Sequence, residues 1–196
     1  MWIYKWFKSG ILAGICIGLG GTAFLKVGGI VGAVLFTFGL LTVVHYRLGL
    51  YTGTAGFINV KDYREWNRMI IIIIGNILGC GLVAGIASIA LSDVYPVAES
   101  ILQKRIENGW LNDGLLAICC GFIMTTAVEF GRNDKFLPLL FGVPLFIMCG
   151  FTHSIADAFY LLCNPFSNTL NNEVGQIYLS EIVGNFIGCN VYRILK

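Results

Sequence analysis

The chain has 196 residues, 57% of them hydrophobic and only 12% charged, with 25 glycines and a formal net charge of +2. That is too little charge to cover a water-soluble domain of this length, so composition excludes a soluble globular protein. The small positive charge is confined to loops and does not suit a nucleic-acid-binding surface.

A helix needs about 20 apolar residues to cross the hydrocarbon core of a bilayer. On that rule residues 1–196 form one all-α transmembrane domain with six spans, at 11–25, 27–46, 69–91, 111–130, 136–162 and 177–195. The first is short and glycine-rich. It is followed by further spans and not by a cleavage site and a polar domain, which argues against a cleavable signal peptide. Trp2, Lys5 and Trp6 before it read as interface anchors. The second span ends near His45, an interface or loop-anchoring residue, and runs into 47–54 and a short apolar piece, 55–60. This predicts a helix broken by a loop and restarted as a half-helix. Arg47 in that loop either snorkels to the cytoplasmic interface or lends a positive charge to an inner vestibule. The third span carries five consecutive isoleucines, 70–74.

The fifth span is interrupted in its middle by Gly150-Phe151-Thr152-His153-Ser154, with Asp157 four residues beyond the histidine. Non-helical backbone at membrane depth is tolerated only where protein buries it or water reaches it. Two such interruptions, in spans 2 and 5, point to a permeation site. Glu181, early in the sixth span, falls near the external interface. Seven cysteines (16, 80, 119, 120, 149, 163, 189) include no C-x-x-C pair and have no histidines at ligand spacing. They read as small packing residues, and neither a metal nor a cofactor is expected.

With the N-terminus inside, cytoplasmic segments hold Lys5, Lys8, Lys61, Arg64, Arg68, Arg132, Lys135, Arg193 and Lys196, nine in all, against Lys26, Lys104 and Arg105 outside. Nine against three predicts a multi-pass protein of the cell (inner or plasma) membrane with both termini cytoplasmic.

The spans also repeat. Residues 73–80 of the third read Ile-Ile-Gly-Asn-Ile-Leu-Gly-Cys, and residues 182–189 of the sixth read Ile-Val-Gly-Asn-Phe-Ile-Gly-Cys. Residues 10–13 of the first (Gly-Ile-Leu-Ala) match 114–117 of the fourth (Gly-Leu-Leu-Ala). Repeat A, about 9–91, therefore recurs as repeat B, about 109–196. Three spans is an odd number, so the second copy inserts upside down, and the broken helices 2 and 5 face each other near the midplane. Asn76 and Asn185 sit in G-x-x-x-G helix-contact motifs, where inter-helix hydrogen bonding is favoured over a place in the pore.

These residues resemble the formate/nitrite transporter family. The family's Leu-Phe-Thr signature corresponds to Leu50-Tyr51-Thr52, and its histidine motif to Gly150-Phe151-Thr152-His153-Ser154-Ile155-Ala156-Asp157. The resemblance covers nearly the whole chain. It implies an aquaporin-like six-span protomer in a homopentamer, each protomer with its own pore. It also implies apolar constrictions at Phe36, Leu40, Leu50, Tyr51 and Phe146, a threonine, Thr52, facing His153, and anion-attracting lysines at Lys5 and Lys104. The chain departs from the family at Gly49 and Thr152, where acidic residues are usual, and at Asp157, where asparagine is usual.

The chemistry of passage follows from desolvation. A bare small anion in an apolar constriction meets an ideal cost of about 20 kcal/mol. Protonating an acid of pKa about 4 at pH 7 costs only about 4 kcal/mol. The substrate implied is a small monovalent weak acid of the formate, nitrite, hydrosulfide, acetate or lactate type. It would pass as the neutral acid or with a proton. Half-helix N-termini near Thr52 and Ser154 would attract the anion with free amide donors, and His153 would donate or relay the proton. The pathway residues are thus Thr52, Thr152, His153, Ser154 and Asp157, with Asp157 expected to pair with the imidazole. The alternatives are an aquaporin-like neutral-solute channel, a non-transporting membrane assembly protein and an intramembrane enzyme. The last lacks a nucleophile placed for a triad, unless Ser154 served, so no enzyme is expected.

Overall fold

The computed structural model describes residues 2–195. They form eight helices and no strand: α1 (Trp2–Val27), α2 (Gly29–His45), α3 (Tyr63–Ala90), α4 (Val94–Arg132), α5 (Leu137–Met148), α6 (Ser154–Leu162), α7 (Phe166–Thr169) and α8 (Asn172–Leu195). A single 3-10 turn, Ala55–Phe57, is all that forms in the 55–60 segment, where a half-helix was expected. α1, α3 and α4 are long and apolar enough to cross a membrane, and α2 and α5 are shorter apolar helices. Their outer faces carry large exposed apolar residues such as Leu82, Ile86, Ile89 and Phe141.

Small residues decide which helices pair. A Cβ at Gly79 would collide with the carbonyl oxygen of Ile11, and one at Gly14 with that of Asn76, so α1 and α3 lie backbone to backbone. In the same way Gly188 meets the carbonyl of Ile118 and Gly121 that of Asn185, pairing α4 with α8. Such close approach replaces the hydrophobic driving force that lipid removes. The register differs from the sequence match. Asn76 Nδ2 donates to the carbonyl of Gly10, and Asn185 Nδ2 to that of Ala117, each at 2.8 Å. Gly10 therefore corresponds to Ala117 and Ile11 to Ile118, three residues further along α4 than Gly114, because the packing follows the Gly-Asn motifs and not the first apolar residues.

Both interruptions begin with the same backbone device. α5 ends with Gly150 N donating to Ile147 O (3.1 Å) and Phe151 N to Phe146 O (2.9 Å). This is a Schellman cap, with Gly150 in the left-handed region at φ 71°. α2 ends with Arg47 N donating to Val44 O (3.1 Å) and Leu48 N to Val43 O (2.9 Å), and here Arg47 itself takes φ 52°. What distinguishes Arg47 is thus its backbone, while its side chain stays exposed. α4 is longer than the span expected in it. Gly109, at φ 73° and ψ 163°, kinks it into an arm before residue 109 and a long apolar helix after it.

Candidate functional site

The two interruptions meet in the interior. Tyr51 N donates to Asn76 Oδ1 at 2.9 Å, while Asn76 Nδ2 holds the carbonyls of Gly10 and Gly49. On the other side Ser154 N donates to Asn185 Oδ1 at 2.9 Å, while Asn185 Nδ2 holds the carbonyls of Ala117 and Thr152. Cys80 Sγ then donates to Ile155 O, and Cys189 Sγ to Thr52 O. The same set of bonds is made twice, and it satisfies backbone groups that no regular helix would. The asparagines are the hubs, as inter-helix bonding predicts.

His153 is the residue before α6 and caps it. Its Nδ1 accepts the Ala156 N–H at 3.1 Å, and its Nε2 lies 2.9 Å from Thr52 Oγ1. Because Nδ1 accepts, the ring hydrogen of the neutral imidazole sits on Nε2 and points at Thr52. Phe146 stacks on the imidazole at 5.5 Å, and Phe36 meets Phe146 edge-on at 6.1 Å. Phe36, Leu40, Leu50, Tyr51 and Phe146 are all buried, and so are Thr52, Thr152, His153 and Ser154. The Tyr51 hydroxyl is committed to the carbonyl of Ile182 at 2.7 Å, and the Thr152 hydroxyl to that of Asp113 at 2.7 Å. Ser154 Oγ has no hydrogen-bond partner among the described residues.

Three expectations are corrected by this geometry. The N-terminal amides of α6 are not all open to an anion, because Asn185 takes that of Ser154 and His153 that of Ala156. Asp157 does not pair with the imidazole; its Oδ2 accepts the backbone N–H of His153 at 3.1 Å. The rest of that carboxylate faces Arg105, whose Nη2 donates to Oδ1 at 3.1 Å. Arg105 is accordingly not a loop charge: it is buried in the arm of α4, with Asp113 and Glu181 at the edge of ion-pair range. Glu181 is likewise buried. No local motif marks this cluster. The signal that could have found it is the single arginine set among carboxylates that flank apolar spans.

Lys104, next to Arg105, is exposed, and its Nζ lies beside Gly150, where a Cβ would be 3.8 Å away. Lys5 is exposed on α1, about one turn before Ser9, whose Oγ accepts the Gly49 N–H at 2.8 Å. The structure thus brings Lys104 to the interrupted segment. Lys5 stays on the outside of the helix that supports the other one.

The fold and these residues together define a membrane protein of the channel and transporter class. The formate/nitrite transporter family model matches residues 1–195, and the chain belongs to that family. Its members are channels or transporters and not enzymes. An uncharacterised transporter of Bacillus subtilis (strain 168), YrhG, is 27% identical over 185 residues, covering 83% of this chain and 68% of that protein. Among solved structures, a pentameric formate channel with formate bound matches with a TM-score of 0.84 at 20% identity, covering 98% of this chain and 95% of that one. An ion channel of the same family matches with a TM-score of 0.76 at 20% identity, covering 96% and 86%.

Proposed function

We propose that this protein is a channel for a small monovalent weak-acid anion, which crosses the constriction as the neutral acid or together with a proton. The observation that carries the reading is the Thr52–His153 pair, 2.9 Å apart and buried beside the Phe36–Phe146 ring contact. A dry apolar collar excludes hydrated ions. It therefore favours a solute that becomes neutral, and the Nε2 hydrogen of His153 is a donor aimed at Thr52 between the two interruptions. Lys104, beside Gly150, gives an approaching anion a positive charge at the mouth. Lys5 does the same for the opposite approach, from the end of α1. Formate, nitrite, hydrosulfide, acetate and lactate all fit this chemistry.

The architecture proposed with it has six spans in two oppositely inserted repeats. α2 with the Ala55–Phe57 turn, and α5 with α6, form the broken second and fifth spans. The doubled asparagine bonds and the matching Schellman caps support this. A homopentamer in the cell membrane is proposed after the pentameric formate channel, and the exposed apolar faces of the protomer suit lipid and neighbouring subunits. Purified protein in lipid vesicles tests the function through uptake of labelled monoacids with and without a pH gradient. Gradient-independent flux of neutral solutes would mean an aquaporin-like channel. No flux of any solute would mean an assembly protein.

A further inference from the structure

We propose that Arg105, Asp113, Asp157 and Glu181 form a buried proton-binding site, separate from the His153–Thr52 pair, in which Asp113 or Glu181 carries the proton. The four side chains come from three elements. Arg105 and Asp113 lie on either side of the Gly109 kink in α4, Asp157 lies in α6, and Glu181 lies in α8. The side chains of Asp113, Asp157 and Glu181 are 0%, 2% and 1% exposed, and that of Arg105 is 10% exposed.

The guanidinium is not shared evenly. Arg105 donates from Nε and Nη2 to Asp157 at 3.1 to 3.3 Å, and Asp157 also takes the His153 N–H. Asp157 is therefore a fully bonded carboxylate. Asp113 and Glu181 stand only at 4.0 and 3.9 Å from Arg105 Nε. Asp113 Oδ1 receives the Asn108 amide at 2.7 Å, but Asp113 Oδ2 and Glu181 Oε2 are buried with no hydrogen-bond partner among the described residues. Three carboxyls share one guanidinium, which Asp157 holds most closely, so their combined charge exceeds that of Arg105 by two. A buried charge with neither counter-ion nor donor is not maintained, and neighbouring carboxyls relieve it by sharing a proton.

The other groups facing the cluster do not balance it. Lys104 on α4 acts on Asp113 through space, but it is exposed, where water and salt screen it, and its Nζ lies beside Gly150. His153 directs its ring nitrogens to Thr52 and Ala156. Tyr178 on α8 has a buried hydroxyl with no hydrogen-bond partner among the described residues, and a tyrosine brings no positive charge in any case. The site is linked to His153 through Asp157, whose Oδ2 accepts the His153 N–H. This holds whichever solute the pore carries.

Infrared spectroscopy of the assembled protein in an ester-free detergent at pH 7 tests the proposal. The expected result is a protonated-carboxyl C=O band that shifts in D2O, changes frequency in Glu181→Gln or Asp113→Asn alone, and vanishes in the double variant. No such band in the unmodified protein, or one that survives the double variant, overturns the proposal. If the double variant does not assemble, the band in the unmodified protein and its shift in Glu181→Gln decide. Thermal melting in sodium chloride and in choline chloride of equal ionic strength should coincide. A sodium-specific stabilisation would put a metal cation in the cluster in place of the proton.

Discussion

His153 does two jobs with one ring. Its Nδ1 caps α6 and its Nε2 faces Thr52, so capping fixes both the tautomer and the aim of the remaining hydrogen. Asparagine is a good helix N-cap and alanine a poor one, a difference of about 1 kcal/mol. His153→Asn should therefore melt close to the unmodified protein, and His153→Ala should melt measurably lower in the same detergent. Equal melting of the two variants would show that the cap carries no stability. Phe146 packs against both His153 and Phe36, and in the proposed pathway it is the residue that screens the imidazole. Phe146→Ala should widen the collar and admit larger monoacids, measured as the uptake ratio of lactate to formate. An unchanged ratio in an assembled variant would remove Phe146 from the constriction.

Among the elements, glycine chooses which helices touch and where they stop. A Cβ at Gly188 would overlap the carbonyl of Ile118, whereas one at Gly85 meets nothing within 4 Å. Overpacking of this kind costs about 1–3 kcal/mol. Gly188→Ala should lower the melting temperature, and Gly85→Ala should leave it level or slightly raised. Gly150 stops α5 in the left-handed region. Gly150→Ala should cost about 1–2 kcal/mol, because an L side chain is strained there. Much of this level was legible in the sequence: the Gly-Asn motifs, the interruption at 150–154 and the long apolar runs are local patterns. The α1–α4 register was not, because Gly10–Ala13 and Gly114–Ala117 match as strings while the contacts are set by asparagines on other helices. Nor was the Arg105–Asp157 pair, whose partners are 52 positions apart on elements that only the fold brings together. The α4 arm falls outside the spans that hydropathy defines, because its charges hide how deeply Arg105 is buried.

At the scale of the whole molecule, the proposed account joins an inverted repeat, cytoplasmic termini and a pore closed by the Thr52–His153 pair. With Arg105 buried, the proposed outer segments keep two of their three positive charges, against nine on the proposed inner ones. Reporter groups at either end should stay unlabelled by membrane-impermeant reagent in intact cells; labelling of one end alone would break the paired-repeat topology. The most direct test of the central claim is uptake of labelled formate into vesicles holding the purified protein, with and without an inward proton gradient, for the unmodified chain and His153→Asn. A channel that passes the acid with the help of His153 should show protein-dependent uptake that the gradient accelerates in the unmodified chain and does not accelerate in the variant. Uptake that ignores the gradient in both proteins, or the absence of protein-dependent uptake of any small monoacid, would contradict it.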